Sequence, residues 1–192
     1  MQQKGLDINP FKLTKDLILE IMREVAIKIG FLKIQLIEEY EVTLSNKNLS
    51  EIVSKIMEKS TSTILTKRLG YEVKCAKSDQ EPDLFFTKLN KPLEIKVTST
   101  TTAWTGGEFS QRPFDHLLVS WDSESFEHFF VCLVHLEKED WKSNFQNNFY
   151  GPSYNKKKLF EKKDKIIFIG DLIKEGNRIK LVRENPNKNF QE

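Results

Sequence analysis

At 192 residues, with 39% hydrophobic and 30% charged side chains, the chain is long enough to bury a core of its own as one domain. It has no run of about 18 or more apolar residues, which excludes a conventional membrane span, and its opening MQQKGLDINPFK lacks an apolar signal core. A net charge of +2 does not announce a nucleic-acid partner, but residues 151–192 hold eleven Lys and Arg against six Asp and Glu, a local basic excess.

Residues 1–9 carry no periodic pattern. Asn9 or Thr14 is placed to cap a first helix, with Pro10 tolerated in an opening turn. Apolar residues then recur at Leu13, Leu17, Ile21, Val25, Ile29, Leu32 and Leu36, and Ile18, Met22 and Ile37 widen the stripe. Steps of three and four over roughly six turns predict a long helix, with Gly30 as its weak point. Its apolar face packs on a sheet, serves as a dimerisation arm, or does both. After a polar break at residues 43–49, Asn48 and Glu51 have capping-box spacing. The second helix should end near Leu69, against Gly70. Glu58 lies near the line of Leu65 and Leu69, close to the face this helix turns inward, where an acid needs a reason.

Tyr71–Ala76 reads as a first strand. Glu81 to Thr98 reads as a hairpin: Leu84 and Phe86 point one way, Asp83, Phe85 and Thr87 the other. Lys88 to Pro92 is turn-rich, and beyond it Leu93, Ile95 and Val97 alternate with Glu94, Lys96 and Thr98. Such a hairpin brings Asp83 and Glu94 to one polar edge with Lys96 beside them. Two carboxylates repel unless a cation lies between them, and Mg²⁺ favours oxygen ligands. Lys96 would then orient a water or stabilise added negative charge on phosphorus.

Pro82-Asp83 followed, eleven positions after Asp83, by Glu94-Ile95-Lys96 resembles the PD-(D/E)xK nuclease motif, whose family includes most type II restriction endonucleases and Holliday-junction resolvases. The resemblance is specific over about Glu58 to Thr98. It implies an α/β fold, a mixed β-sheet flanked by helices, here with a long N-terminal helix. It also implies a single nuclease domain over 1–192, with 1–47 a helical arm available for dimerisation and 48–192 a catalytic core with DNA-binding loops. By resemblance Asp83, Glu94 and the Ile95 carbonyl hold Mg²⁺ and Lys96 positions or activates the water. Many such folds carry a helical glutamate about a dozen residues before a Gly-aromatic pair. Glu58 stands twelve before Gly70-Tyr71, with Glu51 the alternative.

Ser99 to Pro113 leaves the motif strand directly and is too polar and glycine-containing to be a strand throughout. Within it Trp104 is a candidate to stack on a base, Gln111 to read adenine, and Arg112 to bind guanine or phosphate. Residues 115–121 and 129–136 are nearly continuous apolar runs, the pattern of central strands covered on both faces. Residues 149–158 form an aromatic and basic loop, in which Tyr154, Asn155, Lys156 and Lys157 are candidate DNA contacts. Lys165–Gly170 should be a late strand and residues 179–183 an edge strand. Cys75 and Cys132 have no metal-type spacing and read as buried free thiols of a cytoplasmic protein; His116, His128 and His135 read as structural.

The expected function is Mg²⁺-dependent type II restriction cleavage of double-stranded DNA by a homodimer with a companion DNA methyltransferase. The alternatives are a structure-specific nuclease, such as a Holliday-junction resolvase, and a non-catalytic DNA-binding domain on the same fold.

Overall fold

The computed structural model describes residues 10–78, 80–99, 103–106, 112–141, 153–161 and 165–185. Helix α1 (Lys15–Leu32) begins at Thr14, whose side chain accepts the Leu17 N–H, so of the two candidate caps it is Thr14 that serves. Its buried stripe runs from Leu17 through Ile21 and Val25 to Ile29. Gly30 lies inside the helix, where a Cβ would lie 2.9 Å from Lys174 Nζ, so the glycine leaves room for the end of that lysine side chain. The change comes three residues later, where Lys33–Glu39 widens into a π-helical segment with no buried residue. The predicted stripe therefore outruns the core, and Phe31, Ile34 and Tyr40 are exposed.

Helix α2 (Asn46–Leu69) is capped by Ser45, not by Asn48. Ser45 Oγ accepts the Asn48 N–H, and its own hydroxyl donates to the Asn48 side-chain oxygen, so Asn48 belongs to the first turn. The helix stops at Gly70 as expected, in the left-handed conformation at φ 71°. Gly70→Ala should cost about 1–2 kcal/mol through backbone strain alone, because nothing lies near the added methyl group. A urea melt checks this.

Strands β1 (Val73–Cys75), β2 (Leu84–Phe86), β3 (Lys91–Thr98), β5 (Phe114–Trp121), β6 (His128–Leu136), β8 (Ile166–Glu175) and β9 (Arg178–Asn185) form one sheet in the order β1-β2-β3-β5-β6-β8-β9. Within it β3 and β5 pair in parallel and the other neighbours are antiparallel. The chain between β3 and β5 carries β4 (Ala103–Thr105), which pairs with β7 (Ser153–Asn155) in a separate two-stranded ribbon. Both of these segments read as loops in the sequence, and the ribbon corrects that expectation. Helix α3 (Lys156–Glu161) follows β7 directly.

The sheet divides two cores. On one face Leu93, Ile95, Leu117, Val119, Val131 and Leu133 pack against α1 and α2. On the other, Leu118, Phe130, Cys132, Val134 and Leu136 pack against Trp104, Trp141, Tyr154 and Leu159. This explains the continuous apolar runs of β5 and β6, since both faces of these strands are covered. The result is a mixed α/β architecture, a central sheet with helices against it. Among the described residues no helix is long and apolar enough to cross a membrane.

Candidate active site

The site is built from the end of β2, the middle of β3 and one turn of α2. Leu84 lies opposite Leu93 in the antiparallel β2–β3 pair, which puts Asp83 opposite Glu94. The strand itself begins at Leu84, so Asp83 stands just outside it. There the Asp83 side chain replaces a ladder partner: its Oδ2 accepts the Ile95 N–H at 2.8 Å, and its own N–H donates to Glu94 Oε2 at 3.3 Å. Because the N–H and C=O of a strand residue face the same neighbour, the Ile95 carbonyl also points to this side of β3.

Lys96, two residues on and so on the same face of β3 as Glu94, completes the group. Its Nζ lies 2.5 Å from Glu94 Oε1 and 3.8 Å from Asp83 Oδ2. The three side chains are 19% (Asp83), 4% (Glu94) and 17% (Lys96) exposed. Burial pushes the Glu94 carboxyl above its ordinary range and nearby Asp83 adds to the rise, while the Lys96 ammonium opposes it.

Glu58 is turned inward by the docking of α2 on β1. The Ser62 hydroxyl donates to the Val73 carbonyl at 2.6 Å, and the Val73 N–H donates to Thr66 Oγ1. One turn before Ser62, the Glu58 carbonyl accepts from Cys75 Sγ. These bonds set the helix so that Glu58 is only 5% exposed. Its carboxylate accepts two bonds from Lys55 Nζ, at 2.9 and 2.8 Å. Burial raises the Glu58 pKa and the Asp83 charge raises it further, against the Lys55 bonds. Glu51, the alternative, is an exposed residue 3.9 Å from Lys47 and takes no part.

A raised carboxyl pKa has a defined effect on stability. The unfolded chain ionises near 4.5, while the folded chain keeps its proton to higher pH. Over that window the folded state holds more protons, so stability falls as pH rises. Glu58→Gln should therefore raise the melting temperature at pH 8, by about 2–4 °C for each kcal/mol gained. The gain should vanish below about pH 4.5, where both states are protonated. Melting curves at the two pH values decide it.

The proposed DNA contacts fare differently. Trp104 is a correction: it is 1% exposed, its Nε1–H donates to the Val119 carbonyl at 2.8 Å, and no ring face is open to a base. Tyr154 is a second correction. It lies directly opposite Trp104 in the β4–β7 ribbon, fully buried, with its phenol pushed upward in pKa by burial. Arg112 is exposed just before β5, and Lys157 is exposed on α3. Asn155 ends β7 and Lys156 begins α3. Gln111 lies outside the described residues.

Two residues near the site were not singled out for it by sequence. His116 pairs in register with Glu94, on the same face, and is fully buried. Its Nδ1 contacts the Phe114 carbonyl, and burial pushes its pKa down to about 3, which keeps the ring neutral. A lysine partner for Glu58 was an open reading of the helix, and Lys55, at i, i+3, is the one that fills it.

Among the described residues no three or more His, Cys, Asp or Glu side chains form a group able to hold a metal ion. No protein-family model, curated protein or solved structure matches the chain.

Proposed function

We propose that the chain is a Mg²⁺-dependent nuclease of the PD-(D/E)xK class, acting as a type II restriction endonuclease. In this reading it is a cytoplasmic homodimer that cuts double-stranded DNA at a short symmetric sequence, beside a companion methyltransferase. The observation that carries the reading is the meeting of Asp83, Glu94 and Lys96, with Glu58 turned inward from α2. A hairpin that needed only a surface ion pair would not bury Glu94 to 3% exposure. Burying charge is costly, and a hydrophobic replacement of similar shape is often more stable. Stability alone therefore does not account for this group.

The donors fit Mg²⁺. Asp83, Glu94 and the Ile95 carbonyl are hard oxygen ligands, and an ion that keeps several waters needs no closed cage of side chains. The acids Asp83, Glu94 and Glu58 also outnumber the two ammoniums that contact them, Lys96 and Lys55. Bound there, the ion supplies Lewis acidity and a more acidic water. Lys96 orients that water and stabilises the negative charge that develops on the phosphoryl oxygens. The water oxygen bonds to phosphorus as the bond to the leaving ester oxygen breaks. The water's proton is lost to solvent and the leaving oxygen gains one. Glu58, turned inward from α2, assists the placement of water.

Burial of Trp104 and Tyr154 removes two of the supposed DNA contacts, which favours a second reading, a nuclease selective for DNA structure. One experiment separates the two. Purified protein is incubated with long linear duplex and with a four-way junction, in Mg²⁺ or in EDTA. Discrete Mg²⁺-dependent fragments from the linear duplex support the restriction reading. Junction cutting irrespective of sequence supports the second, and two untouched substrates would sink both.

A further inference from the structure

Helix α1 carries a second apolar stripe, distinct from the one that packs on the sheet. Among the described residues five large hydrophobic side chains are exposed. Four of them, Phe31, Ile34, Tyr40 and Val42, fall within twelve positions, from the last turn of α1 into the segment beyond it. Scattered exposed apolar residues need no explanation, but a contiguous patch marks an interaction surface. Ile27 extends the patch back along α1, since it is half-buried and packs in neither core of the described residues. Ile27, Phe31 and Ile34 follow one another by steps of four and three, which keeps them on one side of the helix. That side is turned away from Leu17, Ile21, Val25 and Ile29, which the core already covers.

The charges at its two ends say what covers it. Arg23, one turn before Ile27 on the same side, is exposed and makes no ion pair with a described residue. At the other end come Glu38 and Glu39, four and five positions beyond Ile34. In the π-helical segment, where bonds run from i to i+5, both stay on the side of Ile34. Lys33 approaches Glu38 at 3.6 Å and leaves its side chain half exposed, and Glu39 makes no ion pair with a described residue. The other acids bordering the stripe, Glu20 and Glu24, are neutralised within the chain by Arg68 and Lys28. The stripe thus reads cation, Ile, Phe, Ile, anion. Its apolar part is the same from either end, and its end charges are opposite. The pairs Arg23–Glu38 and Ile27–Ile34 are both centred between residues 30 and 31, beside Phe31. Such a surface is complementary to itself turned end for end, which is what a two-fold contact requires.

We infer that a second copy of this chain covers the stripe, the two α1 helices packing antiparallel about an axis beside Phe31. Phe31 then meets its copy at the axis, Ile27 meets the partner's Ile34, and Arg23 faces the partner's Glu38 and the partner's Glu39. The inference rests on the nuclease reading for the use of the dimer, two acid sites for the two strands of a duplex. The contact itself stands on this surface. The stripe that sequence periodicity singled out is buried in the core, and the pairing face lies on the other side of the same helix.

The test is sedimentation equilibrium of the whole chain in EDTA, without DNA, over a wide range of protein concentration. Wild type should pass from monomer to dimer. Phe31→Glu should raise the dimer Kd by about 100-fold or more, because it puts two like charges at the axis in place of the central aromatic pair. Arg23→Glu should raise it by about 10-fold, and adding Glu38→Arg and Glu39→Arg to that variant should bring it back. Reversing Arg23 alone would not weaken a parallel contact, so loss and rescue together report the antiparallel one. All four side chains are exposed, and the melting temperature of dilute, monomeric protein should be unchanged in each variant. Wild type that stays monomeric at every concentration overturns the inference and takes the homodimer from the restriction reading, while the acid site is still judged by cleavage. A dimer unmoved by Phe31→Glu also overturns it. An effect of Phe31→Glu without one of Arg23→Glu overturns the antiparallel pairing. The expected losses and rescue in a protein that cuts neither linear duplex nor junction uphold the face and overturn the nuclease reading.

Discussion

Lys96→Ala should lower Mg²⁺-dependent cleavage of duplex DNA by about 10²–10³-fold, the cost of removing one preorganised charge from a site where negative charge develops. The loss has two sources. The first is direct, because the ammonium that lies against both Asp83 and Glu94 is gone. The second acts through Glu94. Its carboxyl is already raised by burial and by Asp83, and Lys96 is what holds it down. Without that ammonium Glu94 keeps its proton to higher pH and would be a poorer ligand for the proposed Mg²⁺. Residual activity of the variant should therefore shift to more alkaline pH, a change that loss of folding would not produce. Lys96→Arg should not restore the rate, since a planar guanidinium is no substitute for a compact ammonium in a space shared with two carboxylates. Binding of duplex in EDTA should be nearly unchanged. Full activity in Lys96→Ala would remove Lys96 from the chemistry.

The acid site was legible because its parts are close in sequence or lie on regular elements. The alternation of β3 put Glu94 and Lys96 on one face, and the short hairpin put Asp83 opposite Glu94. The helical period of α2 brought Glu58 inward, and its docking bonds at Val73 did the rest. What sequence did not disclose is one local choice of cap and several features that depend on partners far along the chain. The cap of α2 went to Ser45 because a serine in extended backbone conformation accepts the Asn48 N–H and so starts the helix three residues earlier. The apolar steps of the first helix continue past Ile29, but they do not say where the sheet ends beneath it. Over Lys33–Glu39 no residue is fully buried, and Ile37 packs only partly against the core. The β4–β7 ribbon joins positions about fifty residues apart, with no periodicity in either three-residue strand to predict it. Trp104 and Tyr154 looked like base-stacking residues because polar and glycine-rich neighbours surround them. Their burial follows from the ribbon that lays them on β5 and β6.

The burial of Trp104 leads to the second large expected effect. Trp104→Ala should destabilise the protein by about 3–5 kcal/mol, the range for deleting a large aromatic from a packed core. For a chain of this size that corresponds to a fall in melting temperature of roughly 6–20 °C. The side chain joins the ribbon to the sheet in two ways. Its ring packs near Phe130, centroids 6.0 Å apart, within the second core. Its indole N–H reaches the Val119 carbonyl on β5. Trp104→Phe separates the two contributions: most of the apolar packing is kept and the hydrogen bond is removed, for about 1–3 kcal/mol. A folded Trp104→Phe protein should cut DNA at the same sites as wild type, because the residue touches no base. A changed cleavage pattern in that variant, with its melting temperature unaltered, would return Trp104 to the DNA surface. A lower melting temperature with the same pattern fixes it as the pin that holds β4 and β7 against the sheet.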